Sequence, residues 1–532
     1  MRTSHQPTRQ RKILCVYPRY ARSFGTFQHA YEFFGGRVRA FMPPQGLLVV
    51  TAYLPETWAV RFVDENSQTT TAADFEWADA VFVSGMHIQR SQIHDVITRA
   101  HAHDRPIVVG GPSVSGCPEY YPDADMLHVG EIGDATDRLI EHLDRTTDRP
   151  ANQLRFETKD RLPLADFPTP AYEMIPLHEY FIANMQFSSG CPYSCEFCDI
   201  PALYGRNPRL KTPEQVLREL DLIAAAGATS VYFVDDNFIG NQKAALELLP
   251  HVVDWQTRHK YPLRFACEAT LNIAKNERVL ELMREAGFIT VFCGIETPEP
   301  AALHAISKDQ NLRMPILESV EKINSYGLEV VSGIILGLDT DGPDTADRII
   351  EFIQASRIPM LTINILYALP KTPLWRRLEA EGRLLSGEGR ESNVDFKLPY
   401  ETVRDMWRRC ITAAYTPEAV YARFAHNIAH TFSRRKKYPV NPQRASWANV
   451  RMGLGILARL MWRVGVRSDY RRTFWRLAWP ALKAGEIEPL IHAAIVSHHL
   501  IEFTRDALQG LGEASFYAPA AVVPSAPHAA VV

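Results

Sequence analysis

Gly190-Cys191-Pro-Tyr-Ser-Cys195-Glu-Phe-Cys198 places three cysteines within eight residues at a C-x₃-C-x₂-C spacing. The residues before it, Phe181-Ile-Ala-Asn-Met-Gln-Phe187, read as a short buried strand that Ser188, Ser189 and Gly190 break into a loop. The thiols therefore sit on a loop leaving the C-terminal end of a strand, where α/β folds place their chemistry. Three thiolates on one loop hold three irons of a 4Fe–4S cube. The fourth iron stays open to an outside chelate, such as the methionine end of S-adenosylmethionine. The competing readings are a zinc site, a disulfide and buried structural thiols. Zinc wants a second pair of ligands, which is not seen near this loop. A disulfide is disfavoured in a chain that reads as cytosolic, and structural thiols rarely take this spacing.

The chain's 532 residues have room for roughly two to four domains. A net charge of −3 implies no polyanionic partner, and no nucleic acid is expected. Cys15, Cys117, Cys267, Cys293 and Cys410 are scattered and read as small core residues. The first twelve residues are polar and basic with no apolar stretch, so no secretory leader is expected. With no run of ~18 uncharged apolar residues, no spanning helix is expected either. Cytoplasmic placement follows, in a reducing compartment that suits an iron–sulfur protein.

Apolar runs at 12–17, 60–63, 79–84, 106–109 and 126–129 predict five strands, with helices at 45–54 and 91–102. Near-continuous apolar strands alternating with helices mean a parallel, doubly wound, Rossmann-like sheet. The strands end in loops carrying Ser84, Gly85 and His87, then Gly110 and Gly111, then Gly130 and Glu131. Loops of this kind let a large ligand approach the carboxyl ends of the strands. The first strand lacks G-x-G-x-x-G, which disfavours a dinucleotide. Pro150, Pro163, Pro168 and Pro170 mark 146–180 as a linker.

A second strand–helix rhythm runs over 181–395, with strands at 230–234, 264–268, 290–295, 329–336 and 361–366 after the one at 181–187. Six such units predict an open (β/α)₆ partial TIM barrel. Asp235, Asp236, Asn237, Glu268 and Glu296 stand at successive strand ends, where carboxylates and amides can bind an ammonium, a ribose diol and a sulfonium. Each acid alone could equally be a helix cap or a salt bridge. Lys371, between Pro370 and Pro373, reads as part of a rigid turn at the barrel mouth. Residues 396–512 read as helical and 513–532 as a disordered tail. Within 434–480, arginines alternate with Trp447, Leu454, Trp462, Trp475 and Trp479. That pattern fits a helix lying on an anionic membrane surface, against a packed helix with a solvated basic face or a nucleic-acid patch.

The cysteine spacing resembles the signature of the radical S-adenosylmethionine enzymes. A five-stranded domain directly before it resembles the cobalamin-binding modules of that superfamily. The match is closer still. Phe24-Gly-Thr-Phe-Gln-His-Ala-Tyr31, Val83-Ser-Gly-Met-His-Ile-Gln-Arg90 and Phe197-Cys-Asp-Ile-Pro-Ala-Leu-Tyr-Gly-Arg206 resemble the hopanoid C-2 methylases. Val234-Asp-Asp-Asn-Phe-Ile-Gly240, Cys267-Glu-Ala-Thr-Leu-Asn272 and Phe292-Cys-Gly-Ile-Glu-Thr297 extend the likeness, which runs over about 12–438.

The resemblance implies three cofactors: a 4Fe–4S cluster on Cys191, Cys195 and Cys198, S-adenosylmethionine, and cobalamin over 12–145. It puts Phe197 near the adenine, Asp235-Asp236-Asn237 at the methionine amine, and Gly333, Ile335 and Gly337 in the adenine motif. The loops with Ser84, Gly85, His87, Gly110, Gly111, Gly130 and Glu131 are then the cobalamin contacts. No D-x-H-x-x-G is present, so cobalamin is expected without histidine on cobalt; His87 is the one candidate for contact beneath it, against the favoured alternative of a loop histidine making an ordinary hydrogen bond. The implied activity is radical methylation at carbon 2 of a hopanoid, a pentacyclic triterpenoid, driven by a reductant such as ferredoxin or flavodoxin. Placement is then cytoplasmic with membrane association. Still open are ring formation or oxidation on another hydrophobic substrate, a non-catalytic cobalamin sensor, and a methylthiotransferase acting on transfer RNA. The last would want three cysteines in the first domain, where only Cys15 and Cys117 stand.

Overall fold

Two parallel six-stranded sheets carry the chain in the computed structural model, which describes residues 9–385, 391–438 and 447–510. The first contains β1 (Lys12–Tyr17), β2 (Ala59–Asp64), β3 (Ala80–Ser84), β4 (Ile107–Gly110), β5 (Met126–Val129) and β6 (Leu154–Glu157). Their order is β2-β1-β3-β4-β5-β6. Ile13, Leu14, Cys15 and Val16 are all fully buried, so β1 is covered on both faces, as a doubly wound sheet requires. Helix Arg90–Ala102 buries Ile93, Val96, Ile97 and Ala100 as one stripe. The sixth strand corrects the expectation of five: β6 lies inside the stretch read as a linker. Its Leu-Arg-Phe-Glu alternates half-buried and exposed, the pattern of an edge strand, and it has no apolar run to betray it.

The second sheet contains β7 (Ala183–Met185), and next in the chain the short antiparallel pair β8 (Ser188–Ser189) and β9 (Arg209–Leu210) forms a separate ladder. The sheet continues with β10 (Ser230–Phe233), β11 (Arg264–Ala269), β12 (Phe288–Glu296), β13 (Glu329–Leu336) and β14 (Leu361–Ile365). Its order, β14-β13-β12-β11-β10-β7, follows the chain without reversal, which is the open partial barrel. Helix Pro213–Ala225 starts from a Thr212–Gln215 capping box. Helix Gln242–Arg258, which periodicity had not marked, is capped by Asn241.

The C-terminal helices are built into the barrel. In Tyr400–Tyr415, Trp407 donates its indole N–H to Ile363 O at 2.9 Å. Further on, Arg435 donates to Gly327 O and Ile289 O. Helix Ile487–Leu508 receives the segment that follows β1: Phe24 packs on Phe503 at 4.6 Å, His29 meets Asp506 at 2.9 Å and Glu32 meets His498 at 3.1 Å. Helix Trp447–Leu460 runs on into a π-helical turn, Met461–Arg467, before helix Arg471–Ala484. Of the eleven exposed large apolar side chains among the described residues, seven fall between Trp447 and Ile487, in the C-terminal helices. The expected disordered tail, 513–532, lies outside the described residues.

Candidate functional site

The cysteine loop is braced from several sides. Gly190 takes φ +103°, and a Cβ there would stand 2.9 Å from Gly205 O, so only glycine serves. Asp235 accepts the N–H groups of Ser188 and Phe187, and Asp236 accepts that of Gly190 at 2.6 Å. These two acids, expected at the methionine amine, are engaged here by the backbone of the loop itself. Burial pushes their carboxyls up, to about 7 for Asp235 and about 6 for Asp236. Further along, Glu196 donates its N–H to Ile306 O at 2.9 Å, and its carboxylate holds Arg377.

Cys195 is buried, while Cys191 and Cys198 are half-buried. Burial raises the thiols of Cys191 and Cys198, so bare thiolates are disfavoured and a cationic metal is what would keep them ionised. Amide donors already face the sulfurs. Gln310 Nε2 lies 3.3 Å from Cys195 Sγ and Asn237 Nδ2 lies 4.0 Å from Cys191 Sγ. Among the described residues no three His, Cys, Asp or Glu side chains converge on a single ion. A cube takes each thiolate on a different iron, so three thiols on one loop fit it.

Inside the barrel the next acids differ from each other. Glu268 has an accessible side chain, yet burial in the surrounding protein, and then the neighbouring Asp236 and Asp235, push its carboxyl up to about 7. Glu296 stands at φ +69° beside a register break in β12 and is ion-paired with the buried Lys308. A Cβ on Gly294 would lie 2.7 Å from Lys308 Nζ, so this glycine leaves room for the pair, while one on Gly333 would make an ordinary 3.6 Å contact with Glu296 Oε2. Lys308 Nζ also stands 5.4 Å from the Phe197 ring centroid. Gly337, at φ +92°, lies under Phe396, and Asp341 fixes its turn by accepting Gly337 N–H at 2.7 Å and Leu338 N–H at 3.0 Å. Phe197 and Ile335 pack against one apolar cluster with Leu338 and Leu366. A cavity of about 350 Å³ opens there, with Phe197, Ile306, Leu338, Leu366 and Arg377 in its wall.

The loops of the first sheet face those of the second. Gly111 and Ser84 are back to back: a Cβ on Gly111 would stand 2.5 Å from Ser84 Oγ. Gly85 follows Ser84 directly, and Gly110 lies beside His128. His87 Nδ1 lies 3.3 Å from Ser113 Oγ, its Nε2 has no hydrogen-bond partner, and Asp199 of the second unit is 3.9 Å away. Burial pushes this imidazole down to about 4, so it is neutral. Gly130 N–H donates to Ser115 Oγ, and Ser115 O accepts Lys371 Nζ at 2.6 Å. Lys371 thus ties the turn at the barrel mouth to the first unit. Glu131, expected as a cobalamin contact, is spoken for: it pairs with Arg209 at 2.6 Å and Arg161 at 3.2 Å. Cys117 is half-buried, not core. Sequence reasoning missed Gln310, Lys308 and Arg209, which sit in polar stretches without periodicity.

Three family profiles match the chain: the B12 binding domain over 32–140, the Radical SAM superfamily over 185–353, and a domain of unknown function over 372–513. The chain is 58% identical over 508 residues to a hopanoid C-2 methylase of Rhodopseudomonas palustris, covering 95% of this chain and 96% of that protein. It is 34% identical to an uncharacterized methyltransferase of Synechocystis sp., covering 94% of each. Among solved structures, OxsB, a cobalamin-dependent S-adenosylmethionine radical enzyme with aqua-cobalamin and S-adenosylmethionine bound, superposes with a TM-score of 0.59 at 14% identity, over 94% of this chain and 80% of that one. The radical S-adenosylmethionine methyltransferase TsrM of Kitasatospora setae, with cobalamin and a [4Fe-4S] cluster bound, gives 0.56 at 15% identity, over 71% and 77%.

Proposed function

The chain belongs to the hopanoid C-2 methylase family, within the cobalamin-binding radical S-adenosylmethionine methyltransferases, and from that premise we propose that it methylates carbon 2 of a pentacyclic triterpenoid lipid. The observation that carries this reading is the meeting of two loop sets. His87 Nε2 stands 3.9 Å from Asp199, the residue after Cys198, and the Glu131–Arg209 and Lys371–Ser115 contacts join the two units around them.

Carbon 2 of such a ring is an unactivated methylene, so polar methyl transfer finds no nucleophile there. When bound, the cluster with S-adenosylmethionine supplies hydrogen abstraction and cobalamin supplies the methyl group. The chain's own residues do the holding. Cys191, Cys195 and Cys198 hold the cluster, and Asp235 and Asp236 keep their loop in register. Asn237, Glu268 and Glu296 would hold the amine and ribose of S-adenosylmethionine, and Phe197, Ile335 and the Gly333–Gly337 turn would hold its adenine. Ser84, Gly85, Gly110, Gly111 and Gly130 would hold cobalamin, with the neutral His87 as a further contact, and Glu131 ties this unit to the barrel through Arg209. The division of labour is 12–145 for cobalamin, extended by β6, then 181–395 for the radical chemistry and 396–512 for helical support. An external reductant such as ferredoxin or flavodoxin delivers the electron.

A lipid substrate has to be met at its membrane. No helix of the described residues is long and apolar enough to cross one. Trp447, Leu454, Trp462, Val466 and Trp479 are 78%, 59%, 57%, 51% and 57% exposed. They are flanked by the exposed Arg451, Arg467, Arg471, Arg472 and Arg476. An outward stripe that is apolar with a basic edge supports peripheral contact with an anionic bilayer.

The test is anaerobic. Protein reconstituted with iron, sulfide and cobalamin is given dithionite and S-adenosylmethionine, and 5′-deoxyadenosine is measured. Wild type should form it, and Cys191→Ala/Cys195→Ala/Cys198→Ala should not. A wild type with a full cluster that forms none would leave the radical reading without support.

A further inference from the structure

The segment after helix Pro300–Ala305, which follows β12, supplies a residue for the cluster that the cysteine motif does not announce. Residues 306–311 form a second wall behind the thiol loop and are held there firmly. Ile306 O accepts the N–H of Glu196 at 2.9 Å. Lys308 is ion-paired with Glu296, and its N–H donates to Leu303 O at 2.8 Å. Asn311 Nδ2 donates to Gly294 O at 2.9 Å. Ser307 sits at φ +55°, a left-handed turn that packing has to hold in place. Gln310 is therefore carried on fixed backbone, 5% exposed, with its amide Nε2 at 3.3 Å from the Sγ of the buried Cys195.

A neutral thiol is a weak acceptor for a buried amide, whereas a thiolate is a good one. From this placement we propose that Gln310 is a positioning residue for the cluster, its amide donating to the Cys195 thiolate and raising the cluster's reduction potential. This rests on reading the triad as a 4Fe–4S site. Adding one electron puts more negative charge on the iron-bound sulfurs, so a fixed donor stabilises the reduced state more than the oxidised one. Cys195 is favoured over Cys191, whose amide neighbour Asn237 stands off at 4.0 Å.

The experiment is an EPR-monitored redox titration of the reconstituted full-length protein without S-adenosylmethionine. Wild type is compared with Gln310→Met, which keeps length and loses the donor, and Gln310→Glu, which puts an acceptor in its place. Iron and sulfide are counted in parallel. Both variants should keep the cluster and shift the midpoint to more negative potential, Gln310→Glu further. Loss of one hydrogen bond to a charged group corresponds to roughly a tenfold weaker reduction equilibrium, about 59 mV for one electron. If only one variant keeps its cluster, its midpoint decides. Midpoints equal to or above wild type would overturn the proposal. So would loss of the cluster from both variants in chains whose far-UV dichroism is unchanged. A wild type that assembles no cluster would instead strike the cluster reading itself.

Discussion

Gly190 is the residue on which the thiol loop turns, and its replacement has a calculable consequence. A left-handed non-glycine there costs about 1–2 kcal/mol, and the added Cβ meets Gly205 O at 2.9 Å. Gly190→Ala should lower the melting temperature and reduce the iron retained on reconstitution. Full iron at wild-type stability would show the loop to be softer than drawn. Asp341 offers a pH test in the same region. Burial raises its carboxyl to about 6 although two backbone N–H groups favour the anion. Between pH ~4 and about 6 the folded protein holds a proton that the unfolded chain has released, so stability from this group falls as pH rises through that window and is flat above it. Asn can accept the same N–H groups without a charge to bury. Asp341→Asn should therefore gain in melting temperature relative to wild type at pH 8 and show little gain at pH 4.5. A gain that is larger at the lower pH would contradict the assignment.

The elements that join the two sheets are where the reading from residues alone reached its limit. The strands were legible because their apolar runs are buried on both faces, as at Ile13–Val16, and the thiol loop was legible because its spacing is chemically specific. β6 was not, since an edge strand needs only every second residue apolar. Glu131 was correctly singled out as a strand-end acid, but its partners Arg209 and Arg161 lie 78 and 30 positions away, a separation no local pattern encodes. Asp235 and Asp236 likewise read as ligand contacts, because their backbone partners belong to another strand. The joint can be tested. Two of the three side-chain nitrogens of Arg209, Nε and Nη1, are buried without a partner. Removing the carboxylate leaves that guanidinium uncompensated. Glu131→Gln should destabilise the protein by about 1–3 kcal/mol, and Glu131→Gln/Arg209→Met should recover part of the loss. Additive losses in that denaturation cycle would mean the two side chains do not act as a pair.

On the scale of the whole molecule, the C-terminal helices hold the first sheet's leading segment against the barrel while turning an apolar stripe outward. Arg459 and Arg463, which read as part of a uniform basic face, partly serve the interior: Arg459 donates to Phe33 O at 2.9 Å and Arg463 pairs with Glu32. Helix Ile487–Leu508 is core, with Leu490, Ala493 and Leu500 fully buried, so truncating it would test folding and not membrane contact. Surface substitutions are the sharper probe. Trp447→Ser/Leu454→Ser/Trp462→Ser should leave melting unchanged and cut partitioning to liposomes containing anionic lipid at least tenfold, with wild-type binding weakening in salt. Undiminished binding by the triple variant would remove the stripe from the account. The claim on which everything else depends is methyl transfer to the hopanoid ring. Reconstituted wild type should be incubated anaerobically with a low-potential reductant, a diploptene-type hopanoid and S-adenosylmethionine bearing a trideuterated methyl group. The expected product is a hopanoid carrying one intact trideuteromethyl group at carbon 2, with none from the cysteine triple variant. Robust 5′-deoxyadenosine formation with an unmethylated, ring-closed or oxidised product would contradict it.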